Sequence, residues 1–326
     1  MVGSMPTVSQ ISPAVRTALA DGRPVVALES TIISHGLPRP GNLAAARSFE
    51  EMLTEAGVTP ATIAVIDGVP KVGLDDADLE RIALDESVIK VSSRDLALAI
   101  ARKRTAGTTV AATSQLASSA GIRMFATGGL GGVHRGFAES VDESADLTVL
   151  ARTPITIVSA GVKSILDIPA TLERLETLGV TVVGYRTNRF PGFYLTDSGE
   201  ELDWRLDDAA EIAEVMAARD ELGDTAALLI ANPLPPDKQL DPALHDQVLA
   251  EALAAADQAN IRGKAVTPFL LAHMQRATEG RSVEVNLDVA RGNIAVAAEI
   301  ATAWSASHRK SRRQTETAYG RGASRD

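Results

Sequence analysis

The chain contains no cysteine, so disulfides, iron–sulfur clusters and thiol nucleophiles are excluded, and any metal site must be built from oxygen and imidazole. It lacks any apolar run near the roughly 18 residues that a membrane span requires. Met1 to Gln10 shows neither the basic start nor the apolar stretch of a secretory signal, and a soluble, cytoplasmic protein is expected. Positive charge is in deficit. With 32 Lys and Arg against 42 Asp and Glu, the formal net charge is −10, which argues against a general nucleic-acid or membrane surface. Anionic ligands must then be held by local features. There is no internal repeat, and neither the dinucleotide fingerprint nor a phosphate-binding P-loop occurs.

At 326 residues and 45% hydrophobic content, the chain can bury a full core as one large α/β domain or two smaller ones. Short β-branched runs alternate with Ala- and Leu-rich stretches of helical period, the pattern of βα units around a mostly parallel sheet. Strands are predicted at Val25–Glu29, Thr62–Ile66, Ile89–Ser92, Met124–Thr127, Ile155–Val158, Thr181–Gly184 and Ala227–Ile230. Helices are predicted at Asn42–Ala56, Asp75–Leu84, Arg94–Arg104, Pro169–Leu178, Asp207–Leu222, Pro242–Gln258, Pro268–Ala277 and Asn286–Ala306, and a hairpin at Gly68–Gly73. The expected organisation is an N-terminal segment (1–23), one catalytic domain (24–304) and a basic, frayed tail (305–326) beginning where the apolar period stops.

Between Thr127 and Ser164 the sequence carries three different chemistries. Gly128-Gly129-Leu130-Gly131-Gly132, followed by His134 and Arg135, can bring backbone amides close to an anion. Asp142 and Asp146 can hold a hard cation, share a helix face or cap one. Lys163 follows the apolar run Ile155–Val158 and a small-residue turn, so its amine lies at the ligand-binding edge of a buried strand, where desolvation favours a neutral nucleophile. Glu29 ends the first predicted strand at that same edge, where a general acid or a capping carboxylate would sit. Lys90 lies on a further strand, and Ala231-Asn232-Pro233 reads as a rigid turn. Singly, each has an ordinary structural explanation; their coincidence at one sheet edge points to an enzyme acting on a phosphorylated small molecule.

These stretches resemble the pseudouridine-5′-phosphate glycosidases and the related indigoidine synthase A-like proteins. The likeness runs from about Pro24 to Ala301 and rests on long motifs: Ala27 to Gly36, Pro60 to Ala64, Lys90-Val91-Ser92, Thr108 to Thr113, Ala126 to Gly136, Ser144 to Leu147, Lys163 to Asp167, Ala231-Asn232-Pro233 and Thr267 to Leu271. It implies a three-layer α/β/α fold with a mixed, mostly parallel sheet, assembled as a homotrimer. The implied activity is a manganese-dependent lyase reaction that splits the C1′–C5 bond of pseudouridine 5′-phosphate into uracil and ribose 5-phosphate. By the same likeness Lys163 is the nucleophile, Glu29 the proton donor and Asp142 the Mn²⁺ ligand. Substrate contacts fall on Lys90, Val110, Thr127, Ser144, Ala145 and Asp146, with His134 and Asn286 near the ribose phosphate and base. Two rival readings use the same residues differently: a Schiff-base sugar-phosphate aldolase, which needs no uracil pocket, and a sugar-phosphate-binding regulator, which needs neither Glu29 nor Lys163.

Overall fold

The uninterrupted apolar runs of the sequence become strands of one eleven-stranded sheet in the computed structural model, which describes residues 9–261 and 266–322. In chain order the strands are β1 (Gln10–Ile11), β2 (Val25–Leu28), β3 (Thr59–Ile66), β4 (Val69–Val72), β5 (Ile89–Val91), β6 (Ala106–Thr108), β7 (Met124–Ala126), β8 (Thr156–Ser159), β9 (Thr181–Tyr185), β10 (Arg205–Leu206) and β11 (Leu228–Ala231). The helices are α1 (Pro13–Ala20), α2 (Gly41–Glu55), α3 (Asp76–Leu84), α4 (Leu96–Ala101), α5 (Val110–Ser119), α6 (Phe137–Ser140), α7 (Ala145–Leu150), α8 (Ile168–Thr177), α9 (Ala209–Leu222), α10 (Pro242–Gln258), α11 (Val266–Ala277) and α12 (Arg281–Gly322).

The sheet runs β1-β4-β3-β2-β7-β8-β11-β9-β10, with β6 on β3 and β5 on β6. Its pairs are parallel except where β3 meets β4 and β6, so the sheet is mixed and mostly parallel, as predicted. Alternate residues of each strand enter separate cores. Val25, Ala27, Phe125, Ile157 and Leu229 face one side, and Val26, Leu28, Met124, Val158 and Ile230 the other. The first side is covered by helices including α1, α5, α7, α8 and α10, the second by α2, α9 and α12, which makes the three layers. Strands buried on both faces read as solid apolar runs for this reason.

The register of β3 shapes the functional edge. Its first half pairs with β2 from Val25↔Thr59 to Leu28↔Thr62, and its second half with β6, Ala64↔Gly107 and Val65↔Ala106. β2 thus ends where the oppositely directed β6 begins to pair. A buried hydroxyl network closes the seam: Ser30 Oγ donates to Ile63 O at 2.6 Å and accepts from Thr108 N at 2.9 Å, while Thr108 Oγ1 donates to Ile63 O at 2.7 Å.

Some elements differ from the sequence reading. α5 was not predicted, because seven of its ten residues are buried and no amphipathic stripe is left to see. The strand β6 and the short elements β1, α6, α7 and β10 carry too few residues to show a period, and α1, capped by Ser12 ahead of Pro13, lies in the segment read only as an N-terminal extension. The helix predicted over Arg94–Arg104 is a single tight turn, Ser93–Asp95, running into α4. The last helix starts at Arg281 rather than Asn286 and its backbone stays helical to Gly322, so the end of the apolar period at Ser305 is not the end of the helix. Lys264 and its neighbours from 262 to 265 lie outside the described residues, just ahead of the predicted Pro268 helix start. Among the described residues, no helix is long and apolar enough to cross a membrane.

Candidate active site

Parallel pairing brings the catalytic candidates together. Leu28 and Ala126 are register partners on β2 and β7, so the residues that follow them, Glu29 and Thr127, emerge side by side. Thr127 Oγ1 donates to Glu29 Oε1 in a short hydrogen bond. Glu29 is only 9% exposed and stands between two cavities. On one side is a largely apolar cavity of about 340 Å³, its open mouth included, lined by Leu28, Ile33, Phe49, Thr62, Ala126, Thr127 and Ile294 among others. In front is a cavity of about 550 Å³, its open mouth included, lined by Glu29, Ile32, His35, Lys90, Gly128, Gly129, Lys163, Phe193 and Asn286 among others. Burial pushes the Glu29 carboxyl above its ordinary range, against the opposing pull of Lys163, the Thr127 hydrogen bond and Lys90. A carboxyl so placed favours its protonated form, the state that a general acid needs.

Lys163 reaches the cavity from the turn after β8. Its amide donates to Leu130 O at 3.2 Å, and Leu130 N donates to Gly161 O at 2.9 Å, so this turn and the glycine-rich turn hold each other. Gly161 has φ +74°, and a Cβ there would meet Pro191 O at 2.6 Å. Phe193, itself left-handed at φ +62°, lies across the glycine turn; a Cβ on Gly129 would come within 2.6 Å of its ring. The glycines thus serve close packing first. The amides of Leu130, Gly131 and Val133 are taken by Gly161 O, Asp146 Oδ2 and Thr171 Oγ1, so these three are engaged within the protein.

Of the predicted residues, Glu29, Lys90, Lys163 and Asn286 line the cavity, and Thr127 lies against Glu29. Asp146 is buried with both oxygens engaged: Oδ1 accepts from Ala111 N and Oδ2 from Gly131 N, each at 2.9 Å. It therefore ties the start of α5 to the glycine turn. Ser144 caps α7 by accepting from Asp146 N, and Ala145 is the first residue of that helix. Asp142 and Asp146 do not share a helix face, since α7 begins between them. Val110 opens α5 with its side chain in the core, which leaves only its backbone to meet a ligand. His134 is held by its amide to Asp142 O at 3.0 Å. Burial pushes its imidazole below the ordinary range, with Asp142 opposing and Lys90 adding to the shift. His35, read only as part of the motif from Ala27 to Gly36 and not as a site residue, is pushed down by burial and then by Lys90 and Arg39, and its Nδ1 lies 2.7 Å from Ser34 Oγ.

Asn293 was also missed. Its Nδ2 donates to Thr127 O at 2.7 Å and Gly128 O at 3.2 Å, and its Oδ1 accepts from Asn232 Nδ2 at 2.9 Å. Asn232, taken for part of a rigid turn, is thus one end of a brace holding the glycine turn to α12. A polar residue among Val289, Ala290, Ile294 and Ala297 on the apolar stripe of that helix was the available signal.

With the geometry in place, the likeness to known proteins can be judged. The family profile described as "Indigoidine synthase A like protein" matches residues 14–303. The chain belongs to the indigoidine synthase A-like family. It is 64% identical over 299 residues to the pseudouridine-5′-phosphate glycosidase of Frankia alni (92% of this chain, 83% of that one) and 60% identical over 293 residues to that of Saccharopolyspora erythraea (90% and 97%). Among solved structures it resembles the prealnumycin C-glycosynthase AlnA in complex with ribulose 5-phosphate, with TM-score 0.87 and 36% identity over 94% of this chain and 100% of that one. An indigoidine synthase A-like protein from Thermotoga maritima gives TM-score 0.84 and 33% identity over the same shares.

The raised Glu29 carboxyl has a consequence for stability. A proton is held more tightly folded than unfolded, so the favourable contribution is complete below the ordinary glutamate value of 4.5 and is lost as pH rises through the folded value. Glu29→Gln keeps an acceptor for Thr127 and removes the buried charge. Its Tm relative to that of the wild type should rise as pH climbs from 4.5 through the folded value and level off above it; calorimetry showing a difference that does not change with pH across that window, or one that shrinks, would contradict the assignment.

Proposed function

We propose that the protein is a pseudouridine-5′-phosphate glycosidase of the lyase class, splitting the C1′–C5 bond to yield uracil and ribose 5-phosphate through a lysine imine. The observation that carries this reading is the pairing in one cavity of a buried Glu29, whose carboxyl burial shifts toward its protonated form, with the amine of Lys163. It is supported by the names of the relatives and by the ribulose 5-phosphate held by the AlnA structure. A carbon–carbon bond to a pyrimidine offers no heteroatom leaving group, so protonating a glycosidic oxygen does not suffice as it does for ordinary glycosides. Covalent help from an amine resolves this.

In the first step the Lys163 amine bonds to C1′ as the C1′–O4′ bond breaks, and O4′ takes the proton of Glu29. In the second, the Glu29 carboxylate takes a proton from the adduct nitrogen and passes it to C5, the freed nitrogen lone pair forms a C=N bond, and the C1′–C5 electron pair stays with the pyrimidine. Water then adds to the imine carbon, releasing ribose 5-phosphate and the amine. Asn286 offers an amide to the base, and Lys90, near enough to depress both His35 and His134, offers positive charge to the phosphate. Among the described residues no cluster of three or more His, Asp or Glu side chains could hold a metal ion. A Mn²⁺ would therefore have Asp142 as a single carboxylate anchor and water for the rest, a donor set that suits a hard ion. It would supply positive charge beside His134, while this chain's own groups carry out the proton and covalent steps.

Borohydride added during incubation with ribose 5-phosphate should fix one pentose phosphate to the peptide containing Lys163, with release of uracil from pseudouridine 5′-phosphate by the untreated enzyme. Lys163→Ala should lose both, and a label on another lysine would refute the assignment. For the metal, chelation should silence turnover and Mn²⁺ restore it, whereas Asp142→Ala should resist rescue. Full activity in metal-free protein would remove the ion from the scheme.

The phosphate gives a separate measurement. Charge-assisted hydrogen bonds contribute about 1.5–3 kcal/mol each, so losing two makes the nucleoside a poorer substrate by roughly two orders of magnitude or more in kcat/KM. Lys90→Ala should narrow that gap by harming the nucleotide selectively. Equal turnover of nucleoside and nucleotide in the wild type would show that Lys90 serves something else.

A further inference from the structure

The far side of the Lys163 turn carries a constellation that the reaction as described does not use. Ser164 is 3% exposed, and its Oγ lies 2.9 Å from Nε2 of His245, itself 4% exposed on α10. The other ring nitrogen, Nδ1, lies 3.0 Å from Asp246 Oδ1. A carboxylate at Nδ1 selects the tautomer with its proton there, which leaves Nε2 to accept the Ser164 hydroxyl. Serine, histidine and aspartate in line would elsewhere make a nucleophile. Here the serine and the imidazole are buried where no substrate meets them, so the line has a mechanical use instead.

We propose that His245 and Ser164 are positioning residues for Lys163, a buried brace from α10 that fixes the turn from which the amine reaches the cavity. This rests on the lysine-imine reading above. Lys163 faces the cavity while Ser164 bonds to α10 behind it, so neighbouring side chains of one turn serve opposite sides. The backbone is tethered around them: Lys163 N to Leu130 O at 3.2 Å, Leu166 N to Lys163 O at 2.9 Å, and an Arg135 guanidinium nitrogen 3.5 Å from Ser164 O. Those bonds hold the main chain, and the side-chain bond at Ser164 adds an anchor to α10.

Its far end is firm. α10 is capped by Asp241, whose side chain accepts from Leu244 N at 2.9 Å, and Leu240 N donates to Tyr194 O at 3.0 Å just ahead of it. The Tyr194 ring lies 6.4 Å from the His245 ring, and its neighbour Phe193 lines the reaction cavity. The brace therefore joins two walls of one site. Because an attacking atom displaced by about 1 Å can cost on the order of 100-fold in rate, a hydroxyl–imidazole bond one residue from the nucleophile can govern turnover without touching substrate.

The test compares the full-length wild type with Ser164→Ala, His245→Leu and His245→Gln, the last keeping a hydrogen-bonding group near the Nε2 position. Single-turnover borohydride trapping with saturating ribose 5-phosphate, KM for pseudouridine 5′-phosphate and Tm are measured for each. Ser164→Ala and His245→Leu should slow trapping and kcat by roughly 10- to 100-fold, with KM and Tm little changed, and His245→Gln should recover most of the loss. Unaltered trapping in Ser164→Ala would overturn the brace, as would equal losses in His245→Leu and His245→Gln, or KM and Tm moving in step with kcat. A wild type that takes no label at Lys163 would instead sink the imine reading, and the brace with it. Wild-type labelling with indifferent variants sinks the brace alone.

Discussion

The burial of one carboxyl, Glu29, constrains everything around it. An ionised carboxylate without water is costly, so the site must either pair it or let it keep its proton. The structure does some of both. Lys163, Lys90 and the Thr127 hydroxyl favour the anion, burial favours the acid, and burial is the larger influence. The largely apolar cavity beside Glu29 adds to the burial with Leu28, Ile33, Phe49, Ala126 and Ile294, and Thr127, on the same wall, supplies the hydrogen bond that opposes it. The upward shift of the Glu29 carboxyl is thereby tied to packing on the second face of the sheet, to which α2 and α12 contribute.

A site that depends on such a balance needs its parts held firmly. The glycine-rich turn is clamped from several sides: Asp146 from α7, Asn293 from α12, Thr171 from α8 and Phe193 across its surface. The residues that most resemble ligands in sequence, Asp146 and the glycines, turn out to hold scaffold to scaffold. Residues with no obvious chemistry, such as Asn232 and Asn293, set where Thr127 and Gly128 lie. Polar groups with two backbone partners each leave little freedom for the turn to shift.

Sequence motifs and structure divide the site differently. Glu29 and Lys163 were legible because each follows a buried apolar run, and parallel sheets put the ends of such runs at one edge. Asn286 was legible by resemblance alone, for nothing in its helical period distinguishes it. His35, Phe193 and Asn293 were not read as site residues, since their roles come from what lies opposite them in space. The helix α5, which opens at Val110, was obscured for the reverse reason, since it is buried on nearly all sides and has no polar face to announce it.

By itself the sequence determined the α/β class, the central strands and most helices, because hydrophobic period is a local property that survives without knowledge of the fold. It also determined that an amine, a carboxylate and a glycine turn would meet at one sheet edge. Only the tertiary structure decided that the Glu29 carboxyl is buried between two cavities, that both oxygens of Asp146 are spent on backbone amides, and that β2 and β6 meet end to end along β3. These are matters of desolvation and long-range register. Each depends on residues tens of positions apart arriving at one point, which no local pattern in a chain encodes.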